Sequence, residues 1–155
     1  MFLPSHLASG YLLSKAIKPS IWTVFPFMPV LIIAAIFPDA DGIFSETVAG
    51  HHSMFHTPIL WITLFGVMIF VDRMTNSDKI KPIALGVLFG SLSHLFTDWL
   101  TARTVGIQWF YPLSQKDYFL FQIHPENGFL FWIEIGIVIF SVFLLSKNRL
   151  SKFNK

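Results

Sequence analysis

Histidines and aspartates are placed along this chain where they could bind a metal ion, and no cysteine accompanies them. Imidazole nitrogens and carboxylate oxygens are ligands that Zn²⁺, Mn²⁺ and Fe²⁺ share. The candidate ligands are His6, Asp39, Asp41, His51, His52, His56, His94 and Asp98. We therefore predict a site for one or two divalent ions, with Zn²⁺ favoured.

An ionisable pair inside an apolar segment is the sharpest of these signals. Two glycines and the pair recur every four residues, at Gly86, Gly90, His94 and Asp98. A helix places such positions along one stripe, where the glycines let a second helix approach closely. Because charges inside apolar membrane segments are costly, the pair indicates a functional site. The alternative is that His94 only hydrogen-bonds Asp98 and braces a helix bundle.

Two aspartates, Asp39 and Asp41, follow an apolar segment and are flanked by Pro38 and Gly42. Their spacing lets a tight turn direct both carboxylates toward one cation. The same pair also occurs in ordinary turns, because aspartate side chains bond to the backbone there. Both readings stay open at this point.

Three imidazoles stand together at His51, His52 and His56, just before a predicted helix start. Although His52 and His56 are four residues apart, Pro58 disfavours helical geometry at Thr57. A loop must therefore aim these side chains, and either His51 or His52 can be the ligand.

Some residues are candidates for catalysis as well as for binding. Glu134 lies inside the last apolar segment, so we expect it to brace a histidine or to relay a proton. Glu46 or a ligand aspartate is a candidate general base. The candidate catalytic residues are Asp41, Glu46, His52 and Glu134.

The composition predicts a membrane protein. Of the 155 residues, 54 % are hydrophobic and 13 % charged, and the hydrophobic ones fall in blocks. Four blocks are clear, with a fifth candidate near the N-terminus: residues 21–37, 58–71, 83–100, 129–145 and 3–17. Most are somewhat shorter than the roughly 20 residues of a full span. We predict a single domain over residues 1–155, an all-α membrane protein built as a compact bundle of four to five short transmembrane helices.

Prolines predict one helix start and one helix kink or break. Thr57 followed by Pro58 is typical of an N-cap and a first helical residue, so a helix should begin there. Pro26 and Pro29 should kink or break the first block.

Positive charges predict the orientation in the membrane. Lysines and arginines concentrate in residues 15–18, 73–81 and 147–155. The two long connections, 38–57 and 101–128, hold only Arg103 and Lys116. The positive-inside rule then makes the C-terminus cytoplasmic and turns the metal site outward in a multi-pass membrane protein. The small net charge of +2 forms no basic stripe, so no nucleic acid is expected as a partner.

The position of His6 depends on residues 3–17. If that segment crosses the membrane as a short helix, His6 reaches the outward face with the other histidines. If the segment lies on the inner surface, His6 takes no part. The N-terminus lacks the features of a cleaved secretory signal, so we expect it to be retained.

The ordered set of motifs resembles a bacterial and archaeal family of membrane-bound, metal-dependent hydrolases, which includes a member regulated by the SOS-response repressor. The matching elements are Ser5-His6, Pro38 to Asp41, His51 to Thr57, Ser93-His94 with Asp98, and a tail with Thr101, Gly106 and Trp109 to Pro112. Where the family has His-Arg-x-x-Thr-His-Ser, this chain has His52 for the arginine and Phe55 for the threonine. Gly42 also replaces a frequent histidine, which removes one possible ligand. The resemblance implies a location in the inner (cytoplasmic) membrane of a prokaryote.

The resemblance and the residues together favour a hydrolase that acts at lipid headgroup level. Metal-activated water would attack a phospholipid or another lipid phosphoester, so membrane lipids are the expected partners. One alternative is a proton or cation transporter with a path through His94, Asp98 and Glu134. Another is a membrane scaffold whose cluster holds a purely structural metal.

Overall fold

The fold is all-helical, as the sequence predicts. A computed structural model describes residues 3–17, 27–43, 54–101, 106–120 and 128–153, without the side chains of 41–43, 130 and 148–153. The helices in these segments are α1 (Leu3–Ala16), α2 (Phe27–Ala34), α3 (Pro58–Thr75), α4 (Ile80–Leu100) and α5 (Gly128–Phe153), with 3₁₀ helices at Phe37–Ile43 and Met54–His56. The described segments contain no β-strand, and their only bridge joins Ile107 to Tyr118.

Two of the described helices, α3 and α4, are long and apolar enough to cross a membrane. Large apolar side chains on α3 are exposed, among them Val67 at 54 % and Phe70 at 60 %. With 14 and 8 residues, α1 and α2 are shorter than the roughly 20 residues of a full span. Two helices suited to spanning are thus present, and four or five crossings stay a prediction.

Helix α3 begins where the sequence predicts, but the Thr57 side chain does not cap it. The helix begins at Pro58, and Thr57 precedes it in an extended conformation. The Thr57 hydroxyl donates to the carbonyl oxygen of Met54 at 2.7 Å and makes no cap hydrogen bond to α3. The predicted N-cap position and helix start are therefore right, but the hydroxyl is turned toward the preceding 3₁₀ turn and accepts no hydrogen bond from the first N–H groups of α3.

The first apolar block is irregular, as its prolines predict. Helix α2 covers Phe27–Ala34, and a turn leads into the 3₁₀ helix Phe37–Ile43. Pro29 is the third residue of α2, inside the first turn, where its missing N–H leaves no intrahelical bond unmade. Pro26 lies outside the described residues.

Helix α4 packs tightly against α2 through the predicted glycine stripe. A Cβ at Gly86 would lie 3.0 Å from the side chain of Val30. A Cβ at Gly90 would collide with the carbonyl oxygen of Leu31 and lie 2.7 Å from Ala34 Cβ. The later position in α4, Gly90, contacts later residues of α2 than Gly86 does, so α2 and α4 run parallel.

Contacts between the other helices show which of them run parallel. Hydrogen bonds join Ser5 to Glu134 and Ser141 to Ala8, so α1 and α5 run parallel. Helix α1 is antiparallel to α2. Gly10 packs against Ala35 just past the end of α2, whereas His6, one turn earlier in α1, lies near Asp39, which follows α2. The starts of α1, α3 and α5 and the ends of α2 and α4 therefore lie together, at what we call the upper end of the bundle.

Candidate metal centre

His94 occupies the middle of a buried cluster at the upper end. Its Nδ1 lies 2.8 Å from the carbonyl oxygen of Ala35, which can only accept, so Nδ1 carries the proton. In the neutral ring the lone pair is then on Nε2. Nε2 lies 3.0 Å from Asp98 Oδ2 and 3.3 Å from Asp39 Oδ1. The close packing of α2 on Gly90 thus fixes both the tautomer and the direction of this ring.

His6 faces the same point from α1, and Thr97 orients it. The Thr97 hydroxyl donates its single proton to the carbonyl oxygen of His94 at 2.8 Å. It must therefore accept from His6 Nδ1, which lies 3.1 Å away. His6 Nε2 is left with a lone pair, is buried, and makes no hydrogen bond within the described residues, although Asp98 Oδ1 lies 3.3 Å away.

Replacing Thr97 with valine should weaken metal binding without removing a ligand. The substitution deletes the acceptor for His6 Nδ1, and partners of this kind change metal affinity by about 10–100-fold. Competition with a chromophoric chelator measures the effect. Thr101→Val is the matched control, since the Thr101 hydroxyl bonds only the Thr97 carbonyl among the hydrogen bonds described for it. Equal affinities in both variants would contradict the orienting role.

His56 approaches from the 3₁₀ helix that precedes α3. Its Nε2 lies 3.6 Å from Asp39 Oδ1 and 3.8 Å from Asp98 Oδ2. The Trp61 indole N–H donates to the carbonyl oxygen of Phe55 at 2.8 Å, which ties this turn to α3. Trp61 is 2 % exposed in the apolar core, so the turn that carries His56 is anchored by packing as well.

Asp39 closes the cluster from the 3₁₀ helix after α2. Its backbone N–H donates to the carbonyl oxygen of Ile36 at 3.2 Å, and its side chain is 20 % exposed. Burial by itself would raise the pKa of this carboxyl, but hydrogen bonds with His56 and His94 hold the pKa well below its usual range. Asp39 is therefore an anion. Protons and a metal ion compete for the histidine nitrogens that face it.

The cluster has the dimensions of a metal site. His6, Asp39, His94 and Asp98 each offer one ligand atom, and these atoms all lie within 4.8 Å of one another. Tetrahedral coordination with bonds of about 2.0–2.1 Å separates ligand atoms by about 3.3 Å. The distances from His94 Nε2 to the two carboxylates, 3.0 and 3.3 Å, match that separation. These residues therefore fit a divalent cation.

The comparisons with known proteins agree with a membrane location. A sequence model of the YdjM inner membrane protein family matches residues 1–152. The chain belongs to the YdjM family. No curated protein and no solved structure matches it. YdjM membership and the two apolar helices support the predicted inner-membrane location. The family description names a location and no reaction, and it is consistent with the resemblance seen in the motifs.

The structure brings together five of the eight predicted ligands in this YdjM-family chain, namely His6, Asp39, His56, His94 and Asp98. Glu46, His51, His52 and the side chain of Asp41 lie outside the described residues. Their roles, and the choice between one ion and two, stay predictions.

Glu134 occupies a different place from the ligands. It is 1 % exposed and accepts a hydrogen bond of 3.4 Å from the Ser5 hydroxyl. Glu134 is not part of the metal-sized group found among the described residues. The sequence analysis assigned no role to Thr97 or Ser5, although a signal existed: each is the direct neighbour of a predicted ligand.

Proposed function

We propose that this YdjM-family protein is a membrane-embedded, metal-dependent hydrolase that cleaves a lipid phosphoester at headgroup level. One observation carries the proposal: three buried imidazoles and two carboxylates from four separate elements converge on one point. Two of the imidazoles direct Nε2 there by means of hydrogen bonds at Nδ1. Ligands oriented in this way are typical of metal sites.

The chain's own residues would hold the ion and place it. His6, Asp39, His94 and Asp98 are the proposed ligands, with His56 as a further donor. A divalent cation held there, with Zn²⁺ favoured, would supply Lewis acidity that lowers the pKa of water and polarises a phosphoryl oxygen. Asp39 is the most exposed member of the cluster, so we infer that water and substrate enter on its side.

The depth of the cluster favours a headgroup bond. Asp98 and His94 lie two and six residues before the end of α4, which is about 3–9 Å at 1.5 Å per residue. The end of a spanning helix lies near the membrane–water interface, so the cluster would sit where phosphoesters and glycerol are found.

Hydrolysis of a phosphoester needs a base and a proton donor. The oxygen of water forms a bond to phosphorus, the P–O bond to the alcohol breaks, and a proton passes to the leaving oxygen. Asp41 or Glu46 would accept the proton of water, and His52 would contact the anionic substrate at the position where the family has arginine. Glu134, which lies beside Ser5, would relay a proton.

The proposed orientation turns the upper end outward. Lys15, Arg73, Lys79 and Lys81 all lie at the opposite end, at the last turn of α1 and around the α3–α4 connection. By the positive-inside rule that end is cytoplasmic. Leu113 is 94 % exposed in a segment tied to the upper end by the Leu120 N–H to Trp99 carbonyl bond.

Because the chain has no cysteine, single cysteines report this orientation directly. Leu113→Cys should react with an impermeant maleimide in intact spheroplasts, whereas Lys79→Cys should react only after lysis. The reverse pattern would contradict the outward placement of the site.

The activity is tested with the full chain in phospholipid nanodiscs loaded with Zn²⁺ or Mn²⁺. Release of headgroup phosphate or phosphoalcohol should occur, and Asp39→Asn should abolish it. Asp72→Asn is the control, since Asp72 bonds the backbone N–H of Lys81 at the other end of the bundle. Metal-loaded wild type without hydrolysis of any headgroup class would overturn the proposal.

A structural metal is the second candidate function, and burial favours it. His6 and His94 are 0 % and His56 2 % exposed, as in a closed site. The same preparations separate the two functions: a structural metal would raise the unfolding temperature but support no hydrolysis. A transport path receives no such support, because the buried His, Asp and Glu side chains described here all lie at the upper end.

A further inference from the structure

An apolar groove runs between α1 and α5, outside the metal centre. Its volume is about 280 Å³, and its lining includes Pro4 and Ser5 of α1 and Phe131, Glu134 and Val138 of α5. Pockets for small molecules usually measure about 300–1,000 Å³, so this groove has room for part of one hydrocarbon chain.

The groove follows the axis of α5 from the upper end toward the middle of the bundle. Its α5 lining extends from Phe131 to Ile139, eight residues or about 12 Å along the helix. Since α1 and α5 run parallel, Ser5 meets Glu134 in the upper half of this path. Below them the α5 lining is Ile135, Val138 and Ile139.

The surface of the groove is almost wholly apolar, which suits a hydrocarbon chain. Ser5 and Glu134 lie at its upper end, where both are buried and hydrogen-bonded to each other, and Ser5 directly precedes His6 in the sequence. The lower part is apolar and opens beside exposed side chains of α5 such as Phe140, at 53 % exposure. A hydrocarbon chain in this groove would point toward the bilayer centre and leave its head beside the cluster.

We infer that this groove binds one hydrocarbon chain of the lipid substrate, so the substrate is a chain-bearing phosphoester and not a soluble one. The inference rests on the proposed function for the identity of the head, and on the groove alone for the chain. The apolar surface of the groove, its length along α5 and its position at the upper end, where Ser5 precedes His6, support this assignment.

Photo-crosslinking tests the groove with the full chain in nanodiscs. The probe is a phospholipid that carries a diazirine in the middle of one acyl chain, and adducts are mapped by mass spectrometry. Ile135, which lines the groove, should be labelled more than Phe140 on the exposed face. Val138→Phe should reduce labelling of Ile135 about tenfold, as excluding about two methylenes implies, and leave Phe140 unchanged.

Two further arms keep the result interpretable. Val138→Ala, which widens the groove, should keep Ile135 labelled, and loss of Ile135 labelling in a Val138→Ala protein with the wild-type unfolding temperature would overturn the assignment. Equal labelling of Ile135 and Phe140 would also overturn it. So would crosslinks between two copies of the chain at Ile135 in place of lipid adducts.

The two proposals fail separately. Labelling of Ile135 should persist in the His94→Ala protein, where hydrolysis is absent, so a failed hydrolase proposal leaves the groove intact. If hydrolysis occurs, Val138→Phe should raise KM for long-chain lipid and leave KM for a water-soluble phosphoester unchanged. If Val138→Phe changes KM equally for both substrates, the groove assignment is overturned and the hydrolase proposal is not.

Discussion

Replacing His94 with alanine is expected to abolish tight binding of divalent metal by the protein. His94 Nε2 lies 3.0 Å from Asp98 Oδ2, 3.3 Å from Asp39 Oδ1 and 3.4 Å from His56 Nε2. No other ring is this close to both carboxylates among the residues described. Because loss of an orienting partner alone costs about 10–100-fold, loss of this ligand should cost more than about 100-fold.

Competition with a chromophoric chelator measures this loss for Zn²⁺ and Mn²⁺. Since His94 is fully buried and bonds the Ala35 carbonyl, the variant is compared with His6→Ala, whose ring makes no such bond to α2. Both should lose metal. Asp117→Asn, at an exposed carboxylate on the 106–120 segment, is the control that should bind as wild type. Unchanged affinity in His94→Ala would place the metal elsewhere.

A methyl group added at Gly90 is expected to damage both stability and metal binding. It would collide with the carbonyl oxygen of Leu31 and lie 2.7 Å from Ala34 Cβ and 3.0 Å from Ala35 N. Overpacking of this kind costs about 1–3 kcal/mol, because backbone cannot move aside as a flexible side chain does. Displacing α2 also moves the Ala35 carbonyl, which orients His94.

Thermal unfolding of Gly90→Ala in detergent measures the first effect, and metal titration of the same sample measures the second. Gly66→Ala and Gly136→Ala are matched controls, since a Cβ at either position meets nothing within 4 Å. Helix propensity alone should stabilise these controls slightly. A Gly90→Ala protein as stable as the controls would contradict the close packing of α2 on α4.

Periodicity predicted the parts of the site that lie on one helix. The four-residue repeat of Gly86, Gly90, His94 and Asp98 appears in α4 as one buried face. The start of α3 followed from Pro58 in the same way. His6 and Asp39 joined the cluster by an argument about topology, because charge placement and chain direction decide which helix ends meet.

Contacts between distant segments could not be predicted in this way. The bond from His94 to the Ala35 carbonyl depends on how closely α2 approaches α4, and the bond from Ser5 to Glu134 joins residues 129 positions apart. The Thr97 hydroxyl could be placed on the His94 face of a helix, but its role depends on the position of His6. Such partners follow from packing, which spacing in the sequence does not specify.

The convergence of anionic and imidazole groups requires positive charge at the centre, and either protons or a metal ion can supply it. Two of the rings present Nε2 with Nδ1 already bonded, and His6 Nε2 is buried without a hydrogen bond in the described part of the chain. A metal ion satisfies every one of these atoms at once.

The most direct test of the metal centre is elemental analysis of the protein purified without chelators. We expect one or two equivalents of divalent metal per chain in the wild type and none in the His6→Ala, His94→Ala double variant. Wild-type protein that is metal-free and takes up neither Zn²⁺, Mn²⁺ nor Fe²⁺ on titration would contradict the account.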